Sequence, residues 1–201
     1  MMVENFWESV TENKILKTSW FPTNIYHTEI EEEFCDTLLQ KIENDKINWK
    51  KDLKYVHALT SGFDGLHQYQ ELKDFSKVIC NSILPTITQE ENFKWNNWKC
   101  IEAWLNFYQK GDHTGVHNHK EVDYCAILIL KAGNSNLFFS DKDFIERNLK
   151  SFETPEDQRI NEKKGTLICF PSNVYHGVSK CENERVTVAF NFSNYVIDQK
   201  Y

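Results

Sequence analysis

The sequence predicts an α+β protein in which helices precede a set of antiparallel strands. Apolar residues recur at helical spacing only in the part of the chain before Pro85. After Trp95 they either alternate with polar residues or form short continuous runs, as strands do. With 201 residues, of which 40% are hydrophobic, the chain can bury a sizeable core. This order of elements is typical of helices packed against a sheet.

Two helices are predicted in the first half. An extended segment, Ser19–His27, leads into the capping-box pattern Thr28–Glu31, which is expected to begin the first helix. The second helix is predicted over about Leu72–Leu84, and Pro85 is expected to end it because proline removes a backbone donor. The apolar faces consist of Phe34, Leu38 and Ile42 in the first helix and Leu72, Phe75, Ile79 and Ile83 in the second.

The second half is predicted to consist of strands. Cys100–Tyr108 alternates, so that Asn106 and Tyr108 share one face. Tyr124–Leu130 is continuously apolar, which indicates a strand buried on both faces. The charged segment Lys142–Asn161 has no period and is predicted to be a loop. Further strands are predicted at Leu137–Phe139, Thr166–Phe170 and Arg185–Phe192.

Composition narrows the function classes. The net charge of −7 disfavours a nucleic-acid ligand, which usually requires a basic face. The chain has no apolar run of the length that a transmembrane helix needs, and its N-terminus lacks the pattern of a secretory signal. The six cysteines show no CxxC spacing, so reduced thiols in a cytoplasmic protein are expected. The usage of lysine, asparagine and isoleucine indicates an AT-rich genome, of phage or bacterial origin.

Three histidines have the spacing of metal ligands on a β scaffold. His117 and His119 are two residues apart, and side chains at that spacing point the same way in an extended segment. A third, His176, follows a later predicted strand. Such a pair and a single distant histidine can close on one metal ion.

An arginine follows the third histidine. On the last predicted strand Arg185, Thr187, Ala189 and Asn191 share a face that is otherwise small and polar. A guanidinium on such a face calls for an anion, and its fork matches a carboxylate. The alternative is an arginine that is solvated at the edge of a sheet.

These motifs together resemble a known family. Their order is Trp104–Asp112, then His117-Asn-His119, an apolar strand, Gly165–Pro171, His176-Gly-Val and Arg185–Asn191. The chain is similar to the small bacterial and phage 2-oxoglutarate/Fe(II)-dependent oxygenases, relatives of the prolyl hydroxylases, closely over residues 98–193 and loosely over 20–85. The resemblance implies a double-stranded β-helix (jelly-roll) core with the N-terminal helices packed on the major sheet. It implies one domain over residues 1–201, with a helical support region at 1–94 and the core at 95–195.

The resemblance also implies roles for individual residues. His117 and His176 would bind Fe(II), and Arg185, helped by Thr187, would bind the far carboxylate of 2-oxoglutarate. The remaining pocket residues would be Asn106, Tyr108 and Asn191. With O₂, the enzyme would couple decarboxylation of the oxoacid to hydroxylation of a C–H bond.

One position departs from the wider superfamily. Where a carboxylate usually completes the facial triad, this sequence has His119. We predict His119 as the third ligand, and Asp123 and Glu121 are the nearest carboxylate alternatives.

Two other functions are compatible with the motifs. A cupin-type metal enzyme or sensor would use the same fold and histidines without 2-oxoglutarate, with Asp123 in the place of the cupin glutamate. A non-catalytic module would hold a structural zinc. Arg185 and Thr187 favour the oxoacid enzyme, because a cupin has no general need for that arginine. The substrate is expected to be a small molecule or a peptide rather than a nucleic acid or a membrane, and a homodimer is left open.

Overall fold

The computed structural model describes residues 15–20, 23–45, 47, 49–52, 56–62, 69–91, 97–140 and 160–194. Trp95 and most of the loop predicted at 142–161 lie outside these residues. The strands are β1 Leu16–Trp20, β2 Thr23–Glu29, β3 Lys50–Asp52, β4 Val56–Thr60, β5 Trp98–Tyr108, β6 His113–His117, β7 Tyr124–Lys131, β8 Leu137–Ser140, β9 Thr166–Pro171, β10 Tyr175–Val178 and β11 Arg185–Asn194. The helices are α1 Glu32–Asn44, α2 Gln70–Val78 and α3 Leu84–Glu90, with a π-helical turn at Ile79–Ile83 between α2 and α3.

The strands form one curled antiparallel sheet, which confirms the jelly-roll prediction. Its order is β1-β2-β9-β7-β11-β5-β4-β6-β10-β8, with β3 paired to β4. The major half, β9-β7-β11-β5, is joined by β4 to the minor half, β6-β10-β8. Strand β11 pairs along β5 from Arg185 opposite Tyr108 to Asn194 opposite Trp98. Because paired residues lie on the same face of a sheet, this register determines which β11 side chains lie on the same face as Asn106 and Tyr108.

The two faces of the major half bury different clusters. Its outer face packs against α1 and α2, as predicted, in the larger apolar cluster. Phe75 of α2 lies 5.2 Å from Phe34 of α1 and 5.9 Å from Phe190 of β11, measured between ring centroids. The inner face and the minor half share the second cluster, which includes Tyr108, Phe139 and Phe170. The helices therefore cover one side of the sheet and leave the other to line an interior.

The start of α1 differs from the prediction. Thr28 does not cap the helix, because it belongs to β2 and pairs with Leu167 of β9. The helix begins at Glu32, and its N-cap residue, Glu31, makes no capping hydrogen bond through its side chain. Strand pairing satisfies the backbone at Thr28, so the capping-box prediction was wrong although the apolar face was placed correctly.

Pro85 does not end the second helical segment, which continues to Glu90. The π-helical turn at Ile79–Ile83 precedes it, and Pro85 lies in the first turn of α3. The π-helical turn leads directly into the α-helix, so the proline removes one donor from a continuous helical run without ending it. Among the described helices, none combines the length and apolarity that crossing a membrane requires.

Candidate metal centre

Strand pairing brings the three predicted histidines together. His117, at the end of β6, is the direct partner of His176 in the antiparallel β6–β10 pair. His119 follows in a loop, and its own backbone N–H donates to the Ser172 carbonyl at 2.9 Å. One ring nitrogen from each histidine lies within 4.8 Å of the others. A shared metal ion would draw these nitrogens to roughly 3 to 3.5 Å, a small contraction of side chains.

Each histidine is oriented by a hydrogen bond at Nδ1. The acceptors are the Gly115 carbonyl for His117 at 2.9 Å, the Val174 carbonyl for His176 at 3.0 Å and Oδ1 of Asn191 for His119 at 2.8 Å. A carbonyl oxygen can only accept, so each Nδ1 carries the proton and donates it. Each Nε2 therefore keeps its lone pair, as a metal ligand requires.

Burial favours the neutral form of two of the rings, those of His176 and His119. It lowers the pKa of His176 well below the usual value, and the neighbouring His117 and His119 lower that pKa further. Burial also lowers the pKa of His119, against the opposing effect of its bond to Asn191. Neutral imidazoles bind divalent metals, whereas imidazolium does not.

A carboxylate supports His119 from behind. Nδ2 of Asn191 donates to Oε2 of Glu102 at 2.8 Å, while its Oδ1 accepts from His119. The Trp104 ring also stacks near His119, with centroids 6.0 Å apart. Asn191, predicted to line the cosubstrate pocket, is thus placed next to a candidate ligand, and the role of Glu102 was not foreseen.

The two alternative carboxylates lie outside the histidine cluster. Oδ2 of Asp123 accepts the backbone N–H of Asn194 at 2.7 Å, and Glu121 is exposed. We find one cluster of three or more potential metal ligands (His, Cys, Asp or Glu) within the part of the chain that the structure describes. It consists of His117, His119 and His176. Which residues bind the metal stays a prediction.

A cavity extends from the histidines into the barrel. Asn106 and Tyr108 line it, and the Tyr108 hydroxyl lies 2.9 Å from Oγ1 of Thr114. That these two residues contact the cosubstrate stays a prediction. Oδ1 of Asn106 is buried without a hydrogen-bond partner among the described residues. Thr187 is buried opposite Asn106 in the β5–β11 pair.

Arg185 is fully buried and forms an ion pair with a carboxylate of the protein. Its Nη1 lies 2.6 Å from Oε2 of Glu162 and donates to the Ala132 carbonyl at 3.1 Å and to Oγ of Ser135 at 3.3 Å. Among the described residues, no hydrogen-bond partner reaches its Nε or Nη2. The alternative of a solvated arginine is therefore wrong. Glu162 had no signal in the sequence, since it follows a charged stretch without period.

Comparison with known proteins supports the resemblance. Residues 102–191 match a family model described as "Putative 2OG-Fe(II) oxygenase". No curated protein matches the chain by sequence. Similar solved structures include a viral collagen prolyl hydroxylase from Paramecium Bursaria Chlorella virus-1 as a 2OG complex (13% identity, TM-score 0.58, 86% of this chain and 96% of that chain). Two others are a Pseudomonas putida prolyl-4-hydroxylase (12%, 0.59, 96% and 98%) and HygX from Streptomyces hygroscopicus with nickel and 2-oxoglutarate bound (9%, 0.58, 85% and 83%).

The family match, the fold and the histidine cluster together define the class of this protein. It is a 2-oxoglutarate- and Fe(II)-dependent oxygenase, an enzyme whose cofactors are Fe(II), 2-oxoglutarate and O₂. The residues fit these groups: each imidazole donates through Nδ1, which leaves Nε2 as the unprotonated nitrogen, and among the described residues Nε and Nη2 of Arg185 have no hydrogen-bond partner. No observation favours the cupin alternative.

Proposed function

We propose that this enzyme hydroxylates a C–H bond of a small-molecule or peptide substrate, with His117, His119 and His176 as the iron ligands. The observation that carries the proposal is the common orientation of the three imidazoles, whose Nδ1 atoms all donate to carbonyl oxygens. When bound, Fe(II) and the oxoacid supply the oxidising power. The protein positions the reactants and excludes water from the reacting centre.

Arg185, at the start of β11, is proposed to bind the far carboxylate of the oxoacid. Among the described residues it is the buried cation, and it lies beside the cavity, since its β5 partner Tyr108 forms part of the cavity wall. Asn106 and Thr187 are proposed to contribute polar groups between the metal centre and Arg185. Phe170 and Ile127 supply an apolar wall that excludes water from the reacting centre.

The setting of the enzyme is part of the same proposal. The six free cysteines, five of them buried, support a reducing, cytoplasmic compartment. The net charge of −7 supports a substrate other than nucleic acid. A homodimer through the N-terminal helices stays a prediction.

The test of the function is anaerobic addition of Fe(II) and 2-oxoglutarate, followed by air. We expect a visible charge-transfer band before air is admitted and release of succinate afterwards. A protein that binds iron but shows no band with 2-oxoglutarate would have the cupin-type function instead. Failure to bind iron would remove the metal assignment altogether.

The role of Arg185 needs a paired design. Replacing Arg185 alone would leave Glu162 buried and unpaired, which costs about 3 to 5 kcal/mol. The double variant Arg185→Met/Glu162→Gln is therefore compared with Glu162→Gln alone. We expect the double variant to need much more 2-oxoglutarate while its iron content stays the same. Loss of iron would show that the arginine assignment is wrong.

A further inference from the structure

Arg185, which is proposed to bind the oxoacid, already forms an ion pair with Glu162 of the protein itself. We propose that Glu162 competes with the far carboxylate of the cosubstrate for Arg185, and that Glu162 must become neutral before a dicarboxylate oxoacid can bind. Glu162 would then determine which oxoacids the enzyme accepts. This inference rests on the function proposed above.

The contacts of Glu162 place it behind the wall of the cavity. Its Oε2 lies 2.6 Å from Nη1 of Arg185, and the side chains are 1% and 0% exposed, respectively. Its Oε1 accepts the backbone N–H of Leu137. Leu137 and Tyr108 both line the cavity, and Tyr108 is the β5 partner of Arg185. The ion pair therefore adjoins the cavity wall on two sides.

The charges of Arg185 and Glu162 determine whether a second carboxylate can bind beside them. Arg185 contributes +1 and an ionised Glu162 contributes −1, so the pair is neutral. A second carboxylate would leave a net charge of −1 in a buried region, where like charges repel strongly. Nε and Nη2 of Arg185, which have no hydrogen-bond partner among the described residues, offer a donor edge to that carboxylate, but only the loss of the Glu162 charge makes its binding favourable.

The surroundings of Glu162 favour its neutral form. Burial raises its pKa, while Arg185 and the Leu137 N–H act in the opposite direction. The other ionisable groups that face it are Tyr108 on β5 and Cys181 in the segment between β10 and β11, and burial raises the pKa of both, so they remain uncharged near pH 7. Proton uptake by Glu162 would therefore leave the positive charge of Arg185 uncompensated beside the cavity wall.

The experiment measures oxoacid binding without turnover. Zn(II)-loaded protein is titrated calorimetrically with 2-oxoglutarate and with 2-oxobutyrate, which lacks the far carboxylate. For Glu162→Gln we expect 2-oxoglutarate to bind about tenfold or more tightly than to the wild type, because a buried like charge is removed. The affinity for 2-oxobutyrate should not change. Glu184→Gln, which removes a carboxylate from an exposed pair with Lys131, is the matched control and should change neither affinity.

Three outcomes would count against the proposal or its basis. If Glu162→Gln binds 2-oxoglutarate no more tightly than the wild type does, the competition is wrong while the proposed function stands. If neither oxoacid binds to any of the proteins, both proposals are wrong. Should Glu162→Gln fail to fold, the wild type decides: its preference for 2-oxoglutarate over 2-oxobutyrate must rise between pH 8 and pH 6. A constant ratio would overturn the inference.

Discussion

At the scale of single residues, the Nδ1 acceptors turn three histidines into a candidate metal centre. Two of the acceptors are backbone carbonyls two residues before each ring, Gly115 for His117 and Val174 for His176. The third is the side chain of Asn191, which Glu102 in turn holds. The orientation of His119 therefore depends on residues distant in sequence, whereas the other two rings are oriented by residues two positions earlier in the chain.

His119 rather than Asp123 is expected to be needed for metal binding. His119→Ala should lose most of the bound iron because it removes one of three ligands, whereas Asp123→Ala should keep it, since that carboxylate binds the Asn194 backbone. Metal content after anaerobic loading and desalting measures both. Equal retention in the two variants would contradict the assignment of His119.

Asn191 is expected to act as a positioning residue. Asn191→Ala should weaken metal affinity by about 10- to 100-fold, because His119 loses the partner that fixes its tautomer and direction. Competition with a fluorescent zinc chelator gives the affinity. Asn194→Ala, at the end of the same strand, serves as the control, and an unchanged affinity in Asn191→Ala would rule out the positioning role.

At the scale of elements, local patterns predicted the faces of helices and strands but not their ends. Phe34 and Leu38 are buried on α1 as their spacing requires, yet the helix begins after the capping-box threonine because β9 pairs with β2 there. Pro85 similarly lies inside a helical run because a π-helical turn precedes it. Where an element ends depends on partners that are distant in sequence.

Gly165 lies just before β9 and packs against Ile30, so any side chain there is expected to lower the stability of the fold. It has φ +86°, and a Cβ would lie 2.3 Å from the carbonyl oxygen of Ile30, between β2 and α1. Gly111 has φ +91° but open space around it. Gly111→Ala is expected to cost about 1 to 2 kcal/mol of unfolding free energy, and Gly165→Ala about 1 to 3 kcal/mol beyond that. Urea unfolding of both variants measures the difference, and equal costs would show that the close approach to Ile30 is not limiting.

At the scale of the whole molecule, the metal centre connects parts of the curled sheet. His117 and His176 lie on paired strands of the minor half, and His119 is held by Asn191 of β11 in the major half. An ion bound to all three would join both halves. Its binding is therefore linked to the stability of the entire barrel.

Metal binding is expected to stabilise the folded protein. At a metal concentration 100 times the dissociation constant, the gain is about 2.7 kcal/mol, because only the folded chain brings the three ligands together. Thermal melts with and without Zn²⁺ measure it. His176→Ala should lose the gain, and Mg²⁺, which prefers oxygen ligands, should not produce it. A gain that persists in His176→Ala would mean that the metal binds elsewhere.

By itself, the sequence determined the fold class, the apolar faces and the identity of the clustered histidines. These follow from local periodicity and from residue types whose chemistry is specific, such as the imidazoles at positions 117, 119 and 176. Only the tertiary structure decided what faces Arg185 and what orients His119. Glu162 and Asn191 reach those positions because closing the curled sheet brings distant segments together, and such contacts leave no period in the chain.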